Sequence, residues 1–495
     1  GVAEGSYVSR LLASQHDAET VYAAFDNHKM GDFAPHLLKS TDAGRTWKDV
    51  KGDLPERGSV LAIAEDHKEP NLLFAGTEFA LFFSVEGGKK WVRLRGGLPT
   101  ISVKDLAIQK QENDLAVGTF GRGIYILDDY TPLRGLTAET LKKDCVLFPV
   151  KTALQYIPTR QYGMQGKAFL GAAFYTADNP AFGATFTYHL KDAIKTKKQK
   201  RRDAERAAER KGEKPPYPTP AQLRAEAEEE TPVIIVTVSD EDGKPLRTLS
   251  GPVSEGIHRV SWDLRLPSPT LPRTRRGGDD DDEELFTAPG GGSLVVPGTY
   301  KVSLAKRVDG VTTPLGVTQT FEVLAWGPEA KDRNSIADRK ALLEFEQKVG
   351  RLEKAVSAAL SVANETASRL EQIKRALDHA ASAQERWKEM TRSLEKRNRD
   401  ILRALRGDSV LRARNENTPQ SIQERVRYAL SAARFSLSAP TQTQRESYRI
   451  AAEEFPEQLA RLRKLVEVDL KDLEKALDEA GIPPTPGRLP EWKEK

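Results

Sequence analysis

The chain has 495 residues, of which 38% are hydrophobic and 30% are charged, a composition typical of globular domains. Its 76 basic and 72 acidic residues leave a formal net charge of +4, which gives no reason to expect a nucleic-acid partner. The single cysteine, Cys145, excludes an intrachain disulfide framework and a cysteine-based metal cluster. No apolar run approaches the roughly 20 residues that a transmembrane helix needs. The length predicts about three domains.

The first 130 residues contain a repeated eight-residue motif. S-T-D-A-G-R-T-W ends at Trp47, and S-V-E-G-G-K-K-W ends at Trp91, 44 positions later. A repeat of roughly 40–45 residues built from four short strands is typical of a β-propeller blade. The sequence predicts two such sets of four strands and the first three of a third set, at residues 8–13, 21–25, 36–39, 47–50, 60–64, 72–76, 81–84, 91–94, 103–108, 115–119 and 124–127.

The motif has a mechanical explanation in the hairpin between the third and fourth strands of each set. A carboxylate there can accept hydrogen bonds from backbone N–H groups, a glycine can adopt positive φ, and a tryptophan ring can pack under the turn. The second copy has Glu86 where the first has Asp42. We therefore predict a structural role, and not a catalytic one, for Ser40, Asp42, Gly44, Trp47, Ser84, Glu86, Gly88 and Trp91.

This pattern, S-x-D-x-G-x-x-W, is the Asp-box or BNR repeat, and more of the chain resembles one family that carries it. The matching segments are G-D-F-A-P-H-L-L-K-S-T-D-A-G-R-T-W from Gly31, L-L-F-A-G-T-E-F from Leu72, D-L-A-V-G-T-F-G-R-G-I-Y-I-L-D-D from Asp114 and T-P-G-R-L-P-E-W from Thr485. They resemble the large bacterial sortilin-like BNR-repeat proteins, which are often labelled glycosyl hydrolases. The resemblance implies a secreted, periplasmic or cell-surface location.

Three blades cannot close a propeller, which typically has four to eight. We therefore expect further blades upstream in the same gene product or in a separate chain, and expect residues 1–130 to be the closing blades. The third blade lacks a clear fourth strand, which either residues 146–150 or a strand from the missing part could supply. A homo- or hetero-oligomer at the cell surface is a further expectation.

The rest of the chain predicts two more domains after a connector at 131–166. Residues 167–326 read as an immunoglobulin-like or FlgD-like β-sandwich, with strands at 184–190, 233–238, 258–264, 299–305 and 318–324. Two charged inserts, 191–231 and 270–293, interrupt it; we expect a self-compensating charged helix in the first and a solvated acidic loop at 279–284 in the second. Residues 327–495 carry apolar residues at helical spacing and predict a bundle of about four helices.

The loops between the second and third strands of each blade lie at the end opposite to the Asp-boxes, where propellers usually bind ligands. These loops contain Asp26 and His28, then Glu78, then Arg122 between two glycines. Arg122 can bind a carboxylate in fork geometry. The competing interpretation is that Arg122 and Glu78 pair with neighbouring loops.

No residue pattern predicts a metal, a cofactor or a catalytic residue, since zinc-protease, nucleophile-elbow and phosphate-loop motifs are lacking in the sequence. We favour an extracytoplasmic binding or scaffold protein. The alternative is a glycoside hydrolase of the xyloglucanase or sialidase type acting on polysaccharide, which would need two carboxylates ~5–9.5 Å apart across the sugar. Exposed aromatic residues rimming a cleft would favour the alternative, and Phe79 and Phe120 are the candidates.

Overall fold

The computed structural model describes residues 2–158, 177, 179–269, 292–326, 333–434 and 436–488 of the chain. It contains a large β part and a C-terminal helical region. The β part begins with three small antiparallel sheets, in which each strand pairs with its neighbour in sequence. Their strands are β1 (Val8–Ala13), β2 (Val21–Phe25), β3 (His36–Ser40), β4 (Lys48–Asp49), β5 (Val60–Glu65), β6 (Leu73–Thr77), β7 (Leu81–Ser84), β8 (Val92–Arg93), β9 (Val103–Gln109), β10 (Asp114–Thr119) and β11 (Ile124–Leu127).

The three sheets form a stack in which the middle sheet, β5–β8, is covered on both faces. Every residue of β5, β6 and β7 is buried. Ile63 and Leu73 of the middle sheet share a core with Tyr22 and Leu37 of the first sheet. A second core joins the other face to the third sheet through Phe74, Leu81, Phe83, Leu106, Leu115 and Val117. The strand positions expected from the repeat are thus confirmed to within one or two residues.

The outer face of the third sheet stays open. Ile124 and Ile126 on β11 are 73% and 55% exposed. Strand β11 pairs with β10 alone, so its outer edge has no neighbour within the described ranges. Large apolar side chains at that exposure, next to an unpaired strand edge, mark a surface that another sheet can cover.

Two further sheets face each other around a common core. One has the order β12-β14-β17, and the other has the order β13-β19-β18-β15-β16, with β13 parallel to β19. Phe186 and Trp262 from the first sheet meet Val236, Val302 and Phe321 from the second. The strands are β12 (Cys145–Leu147), β13 (Ala153–Gln155), β14 (Ala184–Leu190), β15 (Val233–Asp240), β16 (Pro245–Gly251), β17 (Gly256–Trp262), β18 (Gly298–Val308) and β19 (Val311–Ala325).

Of the two sources left open for a fourth strand of the third sheet, residues 146–150 do not supply it. Strand β12 pairs instead with β14, in the register Cys145↔Leu190. The short 3-10 helices Thr131–Gly135 and Thr140–Lys142 turn the chain away from β11 before it reaches Cys145. The pairing partner of β12 lies more than forty positions further along the chain, where local sequence signals do not reveal it.

The first charged insert folds as two exposed helices, α1 (Lys197–Arg210) and α2 (Pro220–Ala227). Each begins with a capping box, at Thr196 and Thr219. The Arg201 Nε lies 2.6 Å from Glu226 Oε1, so the basic first helix is partly neutralised by the acidic second one, as expected. The acidic run at 279–284 lies outside the described residues.

The helical region contains four long helices in its described part, joined by short turns. Leu342, Phe345, Val349, Val356 and Leu360, five of the apolar residues used to predict it, are buried on its first helix. The bounds are α3 (Arg333–His379), α4 (Glu385–Arg406), α5 (Ser409–Arg412), α6 (Ile422–Arg434), α7 (Gln442–Lys464) and α8 (Leu470–Glu479), with a π-helical turn at Leu465–Asp469 between the last two. None of these helices is long and apolar enough to cross a membrane.

Candidate functional site

Three loops lie at one end of the sheet stack, and the same backbone contact in each shows that they are equivalent. The N–H of Asp26 donates to the Tyr7 carbonyl at 2.9 Å, that of Glu78 to the Ser59 carbonyl at 3.1 Å, and that of Phe120 to the Ser102 carbonyl at 2.9 Å. Each acceptor residue directly precedes the first strand of its sheet. We call this end, formed by the β2–β3, β6–β7 and β10–β11 loops, the loop end.

Asp26 and His28 form a pair within the first loop. The Nδ1 of His28 lies 2.7 Å from the Asp26 carboxylate, and the His28 backbone N–H donates to the same oxygen at 3.3 Å. Burial alone would raise the pKa of Asp26, but the hydrogen bonds from His28 help to lower it. A lowered pKa keeps Asp26 ionised at neutral pH, which suits a hydrogen-bond acceptor and does not suit a general acid.

Glu78 is half-buried beside the second loop, and its carboxylate is incompletely satisfied. Its Oε2 atom is buried and has no hydrogen-bond partner among the described residues. The loop itself is well fixed, since the Thr77 hydroxyl donates to the Ala80 carbonyl at 3.0 Å. A buried carboxylate oxygen without a donor is costly, so Glu78 is held in an unfavourable environment by the fold around it.

Arg122 lies at the tip of the third loop. Both flanking glycines have positive φ, 82° at Gly121 and 73° at Gly123, and this tight turn leaves the arginine exposed. Neither Arg122 nor Glu78 forms an ion pair in the described part of the chain. The interpretation that these residues pair with neighbouring loops is therefore not supported by an ion pair.

The structure adds one aromatic residue, Phe33, and two cations, Arg57 and Lys104, to the loop-end residues that the sequence indicates. The Arg57 guanidinium lies 4.8 Å from the centre of the Phe33 ring, and the Lys104 ammonium lies 5.7 Å from that of Phe120. The Phe79 ring packs on Gly58, where a Cβ would lie 3.2 Å from it. Phe33, Phe79 and Phe120 occupy the loops after β2, β6 and β10, so each sheet contributes one ring. Phe79 and Phe120 were expected from the sequence, and the equivalent position of Phe33 in the first loop completes the set.

The Asp-box turns lie at the opposite end of the stack, as the antiparallel order of the strands requires. The Asp42 carboxylate accepts hydrogen bonds from the Thr46 hydroxyl at 2.6 Å, the Thr46 N–H at 2.8 Å and the Ser40 hydroxyl at 2.7 Å. These contacts, led by the Thr46 hydroxyl, lower the pKa of Asp42 to about 2. The Trp47 ring lies over this turn and donates its Nε1–H to the Gly44 carbonyl at 3.1 Å, but the ring stays partly exposed.

The second motif copy is held by other contacts. The Ser84 hydroxyl accepts hydrogen bonds from the N–H groups of Glu86 at 3.2 Å and Gly88 at 2.9 Å. Trp91 is buried and donates Nε1–H to the Val50 carbonyl at 3.2 Å, which belongs to the preceding sheet. Gly88 has φ 92°, and a Cβ there would lie 2.7 Å from the same carbonyl. The second turn therefore docks on the first sheet.

A buried polar network lies near the end that carries the Asp-box turns, and the sequence did not predict it. Asp66 is fully buried and accepts hydrogen bonds from the Tyr130 hydroxyl at 2.6 Å and from Arg134 at 2.8 and 2.9 Å. Burial alone would raise the pKa of Asp66, but the contacts with Arg134 and Tyr130 outweigh it and lower the pKa to about 2. The network ties the middle sheet to the segment that follows β11, so its role is structural. Groups of histidine, cysteine, aspartate and glutamate that could hold a metal ion are not found among the described residues.

No known protein family matches the chain, and no curated protein matches it. Solved structures give weak likenesses. An ancestral GH74 enzyme is 25% identical over 24% of this chain and 14% of its own, with a TM-score of 0.20. YCF48 bound to D1 peptide is 18% identical over 25% and 38%, with a TM-score of 0.19. The GH74 xyloglucanase from Xanthomonas campestris is 14% identical over 64% and 49%, with a TM-score of 0.21. The chain spans less than half of each of these structures, and such TM-scores do not assign it to a family.

Proposed function

We propose that this chain is part of an extracytoplasmic binding or scaffold protein whose ligand-binding surface is the loop end. The observation that carries the proposal is the repeated placement of one aromatic residue per sheet, Phe33, Phe79 and Phe120, at the end opposite to the Asp-box turns. Phe79 and Phe120 are 43% and 72% exposed, and every residue of the strands β6 and β7 that flank Phe79 is buried. Exposed rings on a rigid scaffold are typical of recognition surfaces.

The proposed architecture is an Asp-box β-propeller of the sortilin-like type at 1–130, followed by a connector at 131–166, an immunoglobulin-like sandwich at 167–326 and a helical module at 327–495. The 44-residue spacing and the stacking of the three sheets support the propeller interpretation. Further blades, from the same gene product or from a separate chain, would cover Ile124 and Ile126 and pair with the edge of β11. Assembly into an oligomer at the cell surface is part of this proposal.

A binding experiment tests the site. The chain is run through gels that contain a panel of neutral and acidic polysaccharides, and retardation is compared with that of the Phe79→Ala and Phe120→Ala variants. We expect retardation by at least one polysaccharide and its loss in both variants. Tyr217→Ala is the control, because Tyr217 is 86% exposed on the insert between α1 and α2, outside the sheet stack. Retardation that persists in both phenylalanine variants would contradict the proposal.

The second candidate function is a glycoside hydrolase of the xyloglucanase or sialidase type. The observation that favours it is the pair of carboxylates at the loop end, Asp26 and Glu78, of which Glu78 has a buried, unpartnered oxygen. The pairing of Asp26 with His28 disfavours it, since a glycosidase needs one protonated carboxyl group with a raised pKa. Release of reducing ends from xyloglucan that is lost in Asp26→Asn and Glu78→Gln would decide for the hydrolase.

A further inference from the structure

Three of the exposed cations at the loop end that have no carboxylate partner in the described part of the chain are Arg57, Lys104 and Arg122; Lys29 of the β2–β3 loop is another. Arg57 lies just before the middle sheet begins, Lys104 lies at the start of β9, and Arg122 lies in the β10–β11 turn. All three therefore belong to the same end of the stack. Unpaired cations are common on protein surfaces, so their number alone does not indicate a binding site. Their positions relative to the aromatic rings do.

Two of these cations are placed by aromatic rings. Arg57 lies over Phe33 at 4.8 Å and Lys104 lies over Phe120 at 5.7 Å. A cation on a ring face gains roughly 0.5–1 kcal/mol at an exposed site, which favours one position of an otherwise mobile side chain. Charge and ring thus form one surface, in which a ligand that stacks on Phe120 also meets the Lys104 ammonium.

Most acidic groups at this end are already engaged. Asp26 contacts His28 at 2.7 Å, Asp32 contacts His36 at 2.7 Å, and Asp105 forms an ion pair with Arg10. Glu56 and Glu78 form no ion pair among the described residues. Among those residues, no carboxylate is paired with Arg57, Lys104 or Arg122, so these cations remain available to an anionic ligand.

We infer that the loop end binds an acidic polysaccharide whose sugars carry free carboxylates. The inference rests on the proposed function and specifies its ligand class. Sugar rings pack their C–H faces on Phe79 and Phe120, and the forked guanidinium groups of Arg57 and Arg122 bind carboxylates in pairs of hydrogen bonds. A neutral polysaccharide would desolvate the three cations without giving them a partner, which is unfavourable.

The test compares polygalacturonate with its fully methyl-esterified form, which has the same backbone and no carboxylate charge. Affinity is measured by titration calorimetry with the whole chain. We expect the acid form to bind at least tenfold more tightly than the ester. Arg57→Gln, Lys104→Gln and Arg122→Gln should each weaken binding of the acid form by roughly three- to tenfold, in line with the loss of one charge-assisted hydrogen bond. Arg122→Lys should weaken it less than Arg122→Gln, because it keeps the charge and loses the fork.

The matched control removes three exposed cations from the opposite end of the stack, in the combined variant Arg45→Gln, Lys90→Gln, Lys110→Gln. This variant should bind polygalacturonate as the unmodified chain does. An equal loss in the control would mean non-specific charge attraction and would overturn the inference. Equal binding of acid and ester would overturn it as well, while leaving the proposed binding function intact. Failure of both polymers and of the polysaccharide panel to bind would overturn the two proposals together.

Discussion

Glu65 and Asp66 are consecutive buried carboxylates that are held by opposite neighbours. Glu65 accepts hydrogen bonds from the Ser14 hydroxyl and the Gln15 N–H, both at 2.8 Å, on the side of the first sheet. Asp66 accepts them from Tyr130 and Arg134 on the other side. Successive residues of an extended strand point to opposite faces, so the end of β5 joins the first sheet to the segment that follows the third. Two adjacent acids thereby link the first sheet, the middle sheet and the segment after β11.

Removing the charge of Asp66 should destabilise the stack strongly. Asp66→Asn leaves Arg134 beside a neutral group in a buried site, so we expect a loss of roughly 3–5 kcal/mol in the free energy of unfolding. Tyr130→Phe removes one hydrogen bond to the same carboxylate and should cost about 1.5 kcal/mol. Urea unfolding followed by tryptophan fluorescence measures both. Asp192→Asn, an exposed acid, should stay within about 0.5 kcal/mol of the unmodified chain. Similar midpoints for Asp66→Asn and Asp192→Asn would contradict the structural role of Asp66.

The same carboxylate predicts a pH dependence. The pKa of Asp66 is about 2 in the folded chain, below the value of about 3.9 for an unfolded aspartate. Between these values the unfolded state binds more protons, so the contribution of Asp66 is present above pH 3.9 and is lost as the pH falls through about 2. Other acids such as Asp42 titrate in the same pH range. The informative quantity is therefore the difference in pH dependence between Asp66→Asn and the unmodified chain. The unfolding free energy should fall less steeply between pH 4 and pH 2 in Asp66→Asn than in the unmodified chain.

The two Asp-box copies should respond differently to the same substitution. Asp42 accepts three hydrogen bonds that close its turn, whereas no hydrogen bond of the Glu86 carboxylate is found among the described residues. Asp42→Ala should therefore lower the melting temperature more than Glu86→Ala does. Neither variant should change polysaccharide retardation in the folded fraction, because both turns lie opposite to the loop end. Lost retardation at an unchanged melting temperature would give Asp42 a ligand-binding role instead.

The sequence predicts local structure well and distant partners poorly. The strands of the stack were found because each is a short β-forming run between turn residues, and the glycine at position 44 does adopt positive φ, at 89°. The turn that joins β15 to β16 is equally local, with Gly243 at φ 85°. In contrast, Tyr130 and Asp66 are 64 positions apart, and no local pattern indicates that they form a hydrogen bond. The pairing of Cys145–Leu147 with β14 also joins segments more than forty positions apart, and no local pattern indicates it.

At the loop end, too, the sequence predicts local features and misses contacts between distant residues. Asp26, Glu78 and Arg122 were placed together correctly at one end because antiparallel strand order alone determines which turns share an end. The pairing of Asp26 with His28 lies within one turn, so it was within reach of the sequence. The contact of Arg57 with Phe33 joins two different loops, and that of Lys104 with Phe120 joins strand β9 to a turn. Both depend on side-chain directions that only the folded sheets define.

Truncation after Trp326 should separate binding from stability. The N-terminal part of α3 is anchored to the β part, since Arg339 donates to the side chain of Gln155, which is itself buried beside Val295. Removing the helices exposes this site, so the truncated chain should melt at a lower temperature than the full one. The pairing of β13 with β19 should survive, because the Trp326 N–H donates to the Gln155 carbonyl at 3.0 Å and is retained.

The loop end lies within residues 26–123, far along the chain from this contact, so polygalacturonate affinity should stay the same. Calorimetric melting and titration on the same preparations measure both quantities, and mass photometry shows whether the helices also hold an oligomer together. Lost affinity with unchanged melting and mass would mean that the helices line the binding site.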